Sequence, residues 1–232
     1  LLAGPLIAIL ADGVSGLGAL DWALAARATL TSIGLALPAA LLSLLLALPM
    51  VLAEASARTG RPTRAATMRG ALILPIAVSP MALGLGCFLI LRLGLDGLPR
   101  AVIGIVLINA IMTVPFAAAI LRPAVERVRA HHDHLCRALG IAGWSRWRLV
   151  DWPILRPSIA TALAMSAAMA LGDLVGIGLF GEARLRNLTL LLYEQLGAYR
   201  MSGAAATAAL LMLLIFVLYQ AIERGVGGRA AP

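Results

Sequence analysis

The sequence contains no lysine, only two cysteines, and few charged or aromatic residues. Without lysine, no GxxxxGK[ST] phosphate-binding loop can be completed, which excludes a chain that binds nucleotide through such a loop. Charged residues make up 13% of the chain, well below the roughly 25% of soluble domains. Cys87 lies in an apolar segment and Cys136 in an arginine-rich one, so a disulfide framework is excluded.

The residues that are present indicate a membrane protein. Hydrophobic residues make up 61% of the chain, and the mean hydropathy of +0.95 is far outside the range of soluble globular domains. The net charge of +8 comes from arginines that lie between apolar segments. A nucleic-acid-binding protein would need a continuous basic face on a soluble domain, so this class is excluded.

Five segments are long enough, at about 1.5 Å per residue, to cross roughly 30 Å of hydrocarbon. They are residues 29–52, 71–91, 101–121, 158–181 and 204–222. The predicted fold is therefore an all-α, polytopic membrane helix bundle with five complete transmembrane helices. The apolar run at 1–10 begins with leucine and is too short to span alone, so we expect it to be the remnant of a sixth helix in a longer polypeptide.

Arginine counts predict the orientation of these spans. Thirteen of the nineteen arginines lie in segments 53–70 and 122–157 and in the C-terminal tail. Cytoplasmic loops retain basic residues, so these three segments and the C-terminus are predicted to be cytoplasmic.

The fourth span carries a stripe of small residues and the only charge within any span. The stripe recurs at every fourth position: Ala160, Ala164, Ala168, Gly172 and Gly176. It indicates close helix packing, either within the bundle or at an interface between subunits or halves. The charge is Asp173, whose insertion costs at least about 2.5 kcal/mol. It predicts either a pathway residue or a structural hydrogen bond to a neighbouring helix backbone or to Asn109.

The arginine-rich segment 122–157 contains a compact pattern around Gly140. Leu135, Ala138 and Leu139 fall at i, i+3 and i+4, which predicts a short helix from His131 to Leu139 with one apolar face. Gly140 is suited to end it, and a second short helix is predicted from Trp144. The pattern predicts a rigid protrusion, although an interfacial loop on lipid headgroups would also use tryptophan and arginine.

The stretch "LCRALGIAGWSRWRLVDWP" resembles the cytoplasmic EAA loop of type I ABC-importer permeases. That loop has a glycine four residues after its second alanine and a proline thirteen residues further on, as Gly140 and Pro153 are placed here. His134, Leu135 and Cys136 replace the usual acidic residue and two alanines. "LGDLVGIGLFG" and "LYEQLGAYR" narrow the resemblance to the C-terminal half of the thiamine branch, over about 29–224.

The resemblance implies a permease subunit, or half, of an ATP-driven importer for thiamine or its phosphates in the bacterial inner membrane. This chain would bind no cofactor, because ATP and Mg²⁺ would bind a cytoplasmic ABC ATPase. The other implied partners are a second permease half or subunit, an extracytoplasmic substrate-binding protein and membrane lipid. The implied ATPase-coupling residues are Leu135, Cys136, Arg137, Ala138, Leu139, Gly140, Trp144 and Arg146. The thiazolium cation of thiamine would make Asp173, with Asn109, a candidate for the pathway.

Two alternatives remain from the sequence. The related ferric-iron permeases share the arrangement of two permease halves in one chain, so iron or another small solute is an alternative substrate. A membrane-embedded enzyme would need a serine–histidine pair or two carboxylates at bilayer depth, but the three histidines all lie between 131 and 134, in the predicted cytoplasmic loop. On the outer side, Leu188, Leu191, Leu192 and Leu196 predict a short amphipathic helix.

Overall fold

A computed structural model describes residues 12–13, 16–57, 62–94, 96–141, 143–180 and 185–227. Over these residues the chain is helical and contains no strand, which confirms the all-α prediction. The predicted remnant at 1–10 lies outside the described residues, as do Arg58, Arg61, Glu182 and Arg184.

The helices follow one another with short connections. After a 3₁₀ turn at Gly16–Ala19 they are α1 (Trp22–Ala57), α2 (Pro62–Ala77), α3 (Pro80–Leu91), α4 (Gly97–Ala138), α5 (Gly143–Arg146), α6 (Trp152–Leu171), α7 (Val175–Phe180), α8 (Leu188–Gly197) and α9 (Met201–Val226). A π-helical turn, Trp147–Asp151, joins α5 to α6. Four helical stretches are long and apolar enough to cross a membrane: α1, α4, the continuous stretch Gly143–Leu171, and α9. The chain is therefore a multi-pass membrane protein.

The predicted span 71–91 is broken in the structure. The helix α2 ends at Ala77 and α3 begins at Pro80, and the pair counts as a fifth crossing if it forms one broken span. Proline lacks the amide that would continue the helical ladder, and its ring disfavours helical backbone at the preceding Ser79. The apolar composition of the segment conceals this break.

The predicted span 158–181 is also not one helix. The helix α6 ends at Leu171, and α7 starts only at Val175. The intervening residues include Gly172, a weak helix former, and Asp173, whose side chain bonds to the backbone that follows it. The small-residue stripe therefore does not run along a single helix face to Gly176.

The segment 122–157 differs most from its prediction. Instead of two short helices, α4 runs for 42 residues to Ala138, and the next helical stretch starts at Gly143 and continues without a gap into α6. No strong helix breaker lies between Arg122 and Gly140 except Pro123, which α4 accommodates. At about 1.5 Å per residue, α4 is about 63 Å long, roughly twice the hydrocarbon thickness, so its C-terminal part extends well beyond the bilayer core.

The described residues divide into two compact units. One, the Asp173 unit, contains the chain up to Ala39 together with Pro80–Asn109 and Ala167–Leu218; the other, the Gly140 unit, contains Ala40–Ser79, Ala110–Ser166 and the chain from Tyr219. The core of the Gly140 unit is formed by apolar residues of α1, α2, α4 and α6, including Val51, Leu72, Leu121, Leu155 and Ile159. The Asp173 unit has smaller cores, in one of which Leu188 and Leu191 pack with Ala28.

Candidate functional site

The turn that follows α4 is stabilised by backbone hydrogen bonds. Gly140 has a φ of +65°, a conformation that favours glycine, and no heavy atom lies within 4 Å of the position its Cβ would occupy. The Ile141 amide donates to the Cys136 carbonyl at 2.8 Å, and the Gly140 amide donates to the Arg137 carbonyl at 3.3 Å. This pair of bonds is a Schellman motif, which caps a helix without using side chains.

The apolar side chains around this turn are exposed. We call the set Leu135, Leu139 and Trp144 the apolar tip; their exposed fractions are 60%, 71% and 75%. Ala138 is exposed beside them, whereas Cys136 is buried. The predicted apolar face of 131–139 is therefore present, and most of its surface is exposed.

Trp144 and Trp147, three residues apart in the sequence, have different surroundings. Trp147 packs against the core of the Gly140 unit and lies 6.0 Å, between ring centroids, from Trp152. Trp144 is largely exposed, so only Trp147 braces the turn against the core. Trp144 belongs to the exposed surface instead.

A group of charges joins the two sides of the turn. The Nη2 atom of Arg146 donates to Oδ1 of Asp133 in α4, and its Nε lies 3.4 Å from Oδ2 of Asp151 in the π-helical turn. Arg129 adds a longer contact to Asp133, at 3.7 Å. Asp151 is buried, and only 14% of the Arg146 side chain is exposed. Arg146, predicted among the coupling residues, therefore points inward and holds the turn.

The electrostatics of this group are dominated by its arginines. Partial burial raises the pKa of the Asp133 carboxyl, but the hydrogen bond and charge of Arg146, together with the charges of Arg129 and Arg137, outweigh it, so that this pKa falls below its usual range. Asp133 lies in the segment beyond the predicted span 101–121. Its charged form is thus favoured, which keeps the link between α4 and the π-helical turn intact at neutral pH.

The break in the fourth span is closed by side chains. Oδ1 of Asp173 accepts from the Val175 amide at 3.1 Å and Oδ2 accepts from the Gly176 amide at 3.0 Å, which caps α7. The hydroxyl of Thr189 donates to the Leu171 carbonyl at 2.7 Å, at the end of α6. Backbone groups without partners are costly in hydrocarbon, so these bonds stabilise the break.

The other predicted pathway residue lies on α4. Asn109 is buried, and its Nδ2 donates to the Ile105 carbonyl at 3.1 Å. Gly176 is also adjacent to this residue, since its Cβ would lie 3.5 Å from Cγ2 of Ile105. The structure thus places both Asn109 and the helix cap formed by Asp173 next to Ile105 of α4. The bonds of Asp173 to the two backbone amides of α7 show a structural role for this side chain.

The residues of the small-residue stripe have different environments. Ala160, Ala164 and Gly176 are buried, Ala168 is half-buried, and Gly172 is exposed in the break with only the Met169 carbonyl near its Cβ position. An interface role for Ala164, Ala168, Gly172 and Gly176 stays a prediction.

The short helix predicted around Leu188 to Leu196 is present as α8, and its location on the outer side stays a prediction. Leu188 and Leu191 are buried, while Leu196 is 46% exposed. Two polar groups cap its start: Asn187 Oδ1 accepts from the Leu190 amide at 2.7 Å, and the Ser32 hydroxyl accepts from the Leu188 amide at 2.9 Å.

Sequence reasoning missed a buried charge cluster in the Gly140 unit. Glu54 is 2% exposed, and its two carboxylate oxygens accept from Nε of Arg69 and Nε of Arg122, each at 3.0 Å. A signal was present, since Glu54 is the one acidic residue between Asp21 and Asp96. Its partners lie 15 and 68 residues away, so only the fold brings them together.

The fold and these sites define the class of protein. It is a helical, multi-pass membrane protein whose long spans are interrupted and whose extended helix ends carry charge. No protein-family model matches the chain. The chain is similar to the thiamine transport system permease proteins ThiP of Escherichia coli and Salmonella typhimurium, with 35% identity to each, and of Brucella abortus, with 37%.

These similarities cover 97%, 99% and 88% of the chain respectively. They cover only 42%, 44% and 37% of the relatives, so the chain spans less than half the length of the proteins it matches. The chain is a homologue of the thiamine transport system permeases, which confirms the resemblance seen in its motifs. A more distant relative is the probable sulfate transport system permease protein of Chlorella vulgaris, 26% identical over 115 residues.

Proposed function

We propose that this chain forms part of the membrane pathway of an ATP-driven importer for thiamine or its phosphates. Hydrolysis takes place on a separate cytoplasmic ATPase, and the chain transmits the ATPase movement to its membrane helices. A second permease half or subunit and an extracytoplasmic binding protein complete the transporter in the bacterial inner membrane. The similarity to thiamine transport permeases over most of the chain supports this assignment.

The observation that carries the coupling role is the apolar tip on a closed turn. Leu135, Leu139 and Trp144 expose apolar surface that finds no cover within the described chain. Exposed apolar patches rimmed by charge mark protein interaction sites, and a helix end fits a groove on a partner. A cytoplasmic location of the turn accords with the arginine-rich segment around it, and the C-terminal tail is proposed to lie on the same side.

An ion-pair network connects the two sides of the same turn, so we infer that the turn moves as a rigid unit. Arg146 links Asp133 on one side of Gly140 to Asp151 on the other, so a displacement of the tip is passed to both α4 and the helical stretch that continues into α6. Both helices are candidate spans. We therefore infer that closure of the ATPase shifts the two helices together, which is the bundle motion required for alternating access.

On the substrate side, Asp173 remains the proposed complement to the thiazolium cation, with Asn109 beside the same part of α4. The carboxylate is only partly buried, and it keeps lone-pair capacity beyond its two backbone bonds. An importer for ferric iron or another small solute is the alternative.

The coupling role is tested in the assembled transporter, reconstituted in lipid with its ATPase and binding protein. Leu139→Glu should lower substrate-stimulated ATP hydrolysis and uptake at least about tenfold, because a buried charge in an apolar interface costs more than about 1.4 kcal/mol. Leu93→Glu is the matched control, since Leu93 is also a leucine at a helix end and is 89% exposed. Equal activity in both variants would rule out the apolar tip as the ATPase contact.

The substrate is tested in the same vesicles. Thiamine, thiamine pyrophosphate and ferric iron are compared for stimulation of ATP hydrolysis, and we expect thiamine or its pyrophosphate alone to stimulate. Stimulation by iron alone would assign the chain to the alternative class while leaving the coupling result unaffected.

A further inference from the structure

The Gly140 unit contains an open groove along α2, beside the buried charge cluster. The cavity has a volume of about 700 Å³, within the range of roughly 300–1,000 Å³ that ligand pockets occupy. Apolar or small residues form most of its lining: Ala65, Ala66, Gly70, Ile73, Leu74 and Ala77. Its charged lining consists of Glu54 and Arg69.

Arg69 is held in a way that leaves hydrogen-bond donors free. Its Nε is bound to one oxygen of Glu54, and Arg122 binds the other oxygen. Within the described residues, no acceptor bonds to the two Nη groups of Arg69, and 46% of this side chain is exposed. A guanidinium fixed through Nε presents its remaining donors as a fork, which suits a phosphate.

The remainder of the groove suits a hydrocarbon chain. From Arg69 to Ala77 the helix rises about 12 Å, and the lining over this length is Gly70, Ile73, Leu74 and Ala77. Ile73 and Leu74 are 45% and 62% exposed, so the chain itself does not cover them. The groove therefore places a cationic fork at one position and an apolar surface along the following two turns.

We propose that this groove binds an anionic phospholipid, with the phosphate on Arg69 and an acyl chain along Ile73 and Leu74. Charge complementarity selects the ligand: a purely apolar occupant would leave the guanidinium donors unsatisfied, and a soluble anion would leave the apolar lining uncovered. The arginine-rich segment 53–70 is where the anionic leaflet is expected. This inference does not depend on the transported substrate.

The test compares lipids on the delipidated full permease in detergent. Added phosphatidylglycerol should raise the midpoint of thermal unfolding, and native mass spectrometry should show the retained lipid. Phosphatidylcholine with the same acyl chains and soluble glycerol phosphate should do neither. A shift of equal size with glycerol phosphate would overturn the lipid assignment, because the acyl chain would then contribute nothing.

Two variants should remove the effect. Arg69→Gln should weaken phosphatidylglycerol binding about tenfold, since a charge-assisted bond to phosphate is lost. Gly70→Leu should block the groove by filling it, since no atom lies within 4 Å of the Gly70 Cβ position. Their controls are Arg122→Gln, which breaks the other Glu54 ion pair outside the groove, and Gly34→Leu, at another open helical glycine.

The control variants should keep the phosphatidylglycerol shift even if their starting stability falls. If Arg122→Gln loses the phosphatidylglycerol shift as fully as Arg69→Gln does, the shift reflects the overall stability of the Glu54 cluster. It would then give no support to lipid binding at Arg69. Another contradicting outcome is that Gly70→Leu keeps the lipid shift but releases the second permease half, which would make the groove a protein interface.

Discussion

Two of the helix breaks, at Gly140 and at Asp173, satisfy their backbone groups by different means. At Gly140 the helix closes through backbone bonds alone, from Ile141 to Cys136 and from Gly140 to Arg137. At Asp173 side chains add to the backbone bonds of Gly172 and Asp173, since the carboxylate caps α7 and Thr189 bonds to the end of α6. A helix end capped by backbone bonds leaves its apolar side chains available to contact a partner. At the other break the charged side chain, Asp173, is itself used in the cap.

Glycine also has different uses in the two units. Gly140 needs its positive φ, and the space around it is open. Gly104, in the Asp173 unit, has no such φ; the position of its Cβ is occupied by the Phe180 ring. One glycine is required by backbone conformation and the other by close packing, so substitutions at the two positions should fail for different reasons.

The largest effect is expected for Gly104→Ala. The added methyl overlaps the Phe180 ring, which is buried and already lies 5.5 Å from the Phe88 ring between centroids. We expect a loss of about 1–3 kcal/mol in the free energy of unfolding, as for overpacked cores. The measurement is denaturant unfolding in micelles, with Gly34→Ala as a control that should gain about 0.5–1 kcal/mol.

The expected rescue makes this prediction specific. Phe180→Leu should recover most of the stability in the Gly104→Ala background, because a smaller side chain frees the space the methyl needs. A double variant as unstable as the sum of the two single ones would show that the ring is not the cause.

The next effect concerns the cap at the Asp173 break. Asp173→Ala leaves the Val175 and Gly176 amides without their acceptor and should cost about 2 kcal/mol, within the range for unsatisfied buried groups. Asp173→Asn keeps one acceptor oxygen and should cost less than about 1 kcal/mol, since asparagine is a good capping residue. Unfolding in micelles gives both values.

The same pair of variants separates the cap from the proposed role in transport. If Asp173→Asn assembles normally but uptake falls, the charge itself serves the substrate. If Asp173→Asn retains full uptake while Asp173→Ala loses folded protein, the residue is structural and its place in the pathway is refuted.

The spans could be predicted from sequence because their signal is local. A window of about twenty apolar residues is sufficient to recognise a crossing, and the described residues contain four helical stretches that could span, or five if the broken pair α2 and α3 counts as one. The breaks are different, because Pro80 and Gly172 lie within windows whose average composition is apolar, even though the second window includes Asp173. Their effect depends on backbone hydrogen bonding, which a hydropathy average does not record.

The candidate sites were predictable to different degrees. The glycine at 140 and the apolar residues before it form a local pattern that identified the turn. The ion pair of Arg146 with Asp133 could not be predicted, because it joins residues 13 positions apart on two sides of the turn, and the coupling role of Arg146 stays a prediction. The Glu54 cluster was missed since its three residues come from α1, α2 and α4 and share no sequence pattern.

A smaller effect is expected at the Gly140 turn itself. Gly140→Ala forces a side chain into the left-handed region and should cost about 1 kcal/mol, although there is space for the methyl. Removal of a neighbouring side chain should not rescue it, in contrast to Gly104→Ala. Thermal unfolding of the variant in micelles tests this difference, and a stability equal to that of the native chain would contradict the strain argument.

The smallest effect is expected for the ion pair that joins the two sides of the turn. Asp133→Asn should cost little, because Asp133 is 37% exposed and water screens its pair with Arg146. Arg146→Gln should cost more, because it also removes the cation beside buried Asp151. A double-variant cycle should give a coupling energy of about 0.5–1 kcal/mol at low salt, decreasing as salt is added. A coupling near zero would leave the Schellman motif as the main support of the turn. It would also predict that uptake tolerates loss of Asp133, since the tip would keep its geometry without this ion pair.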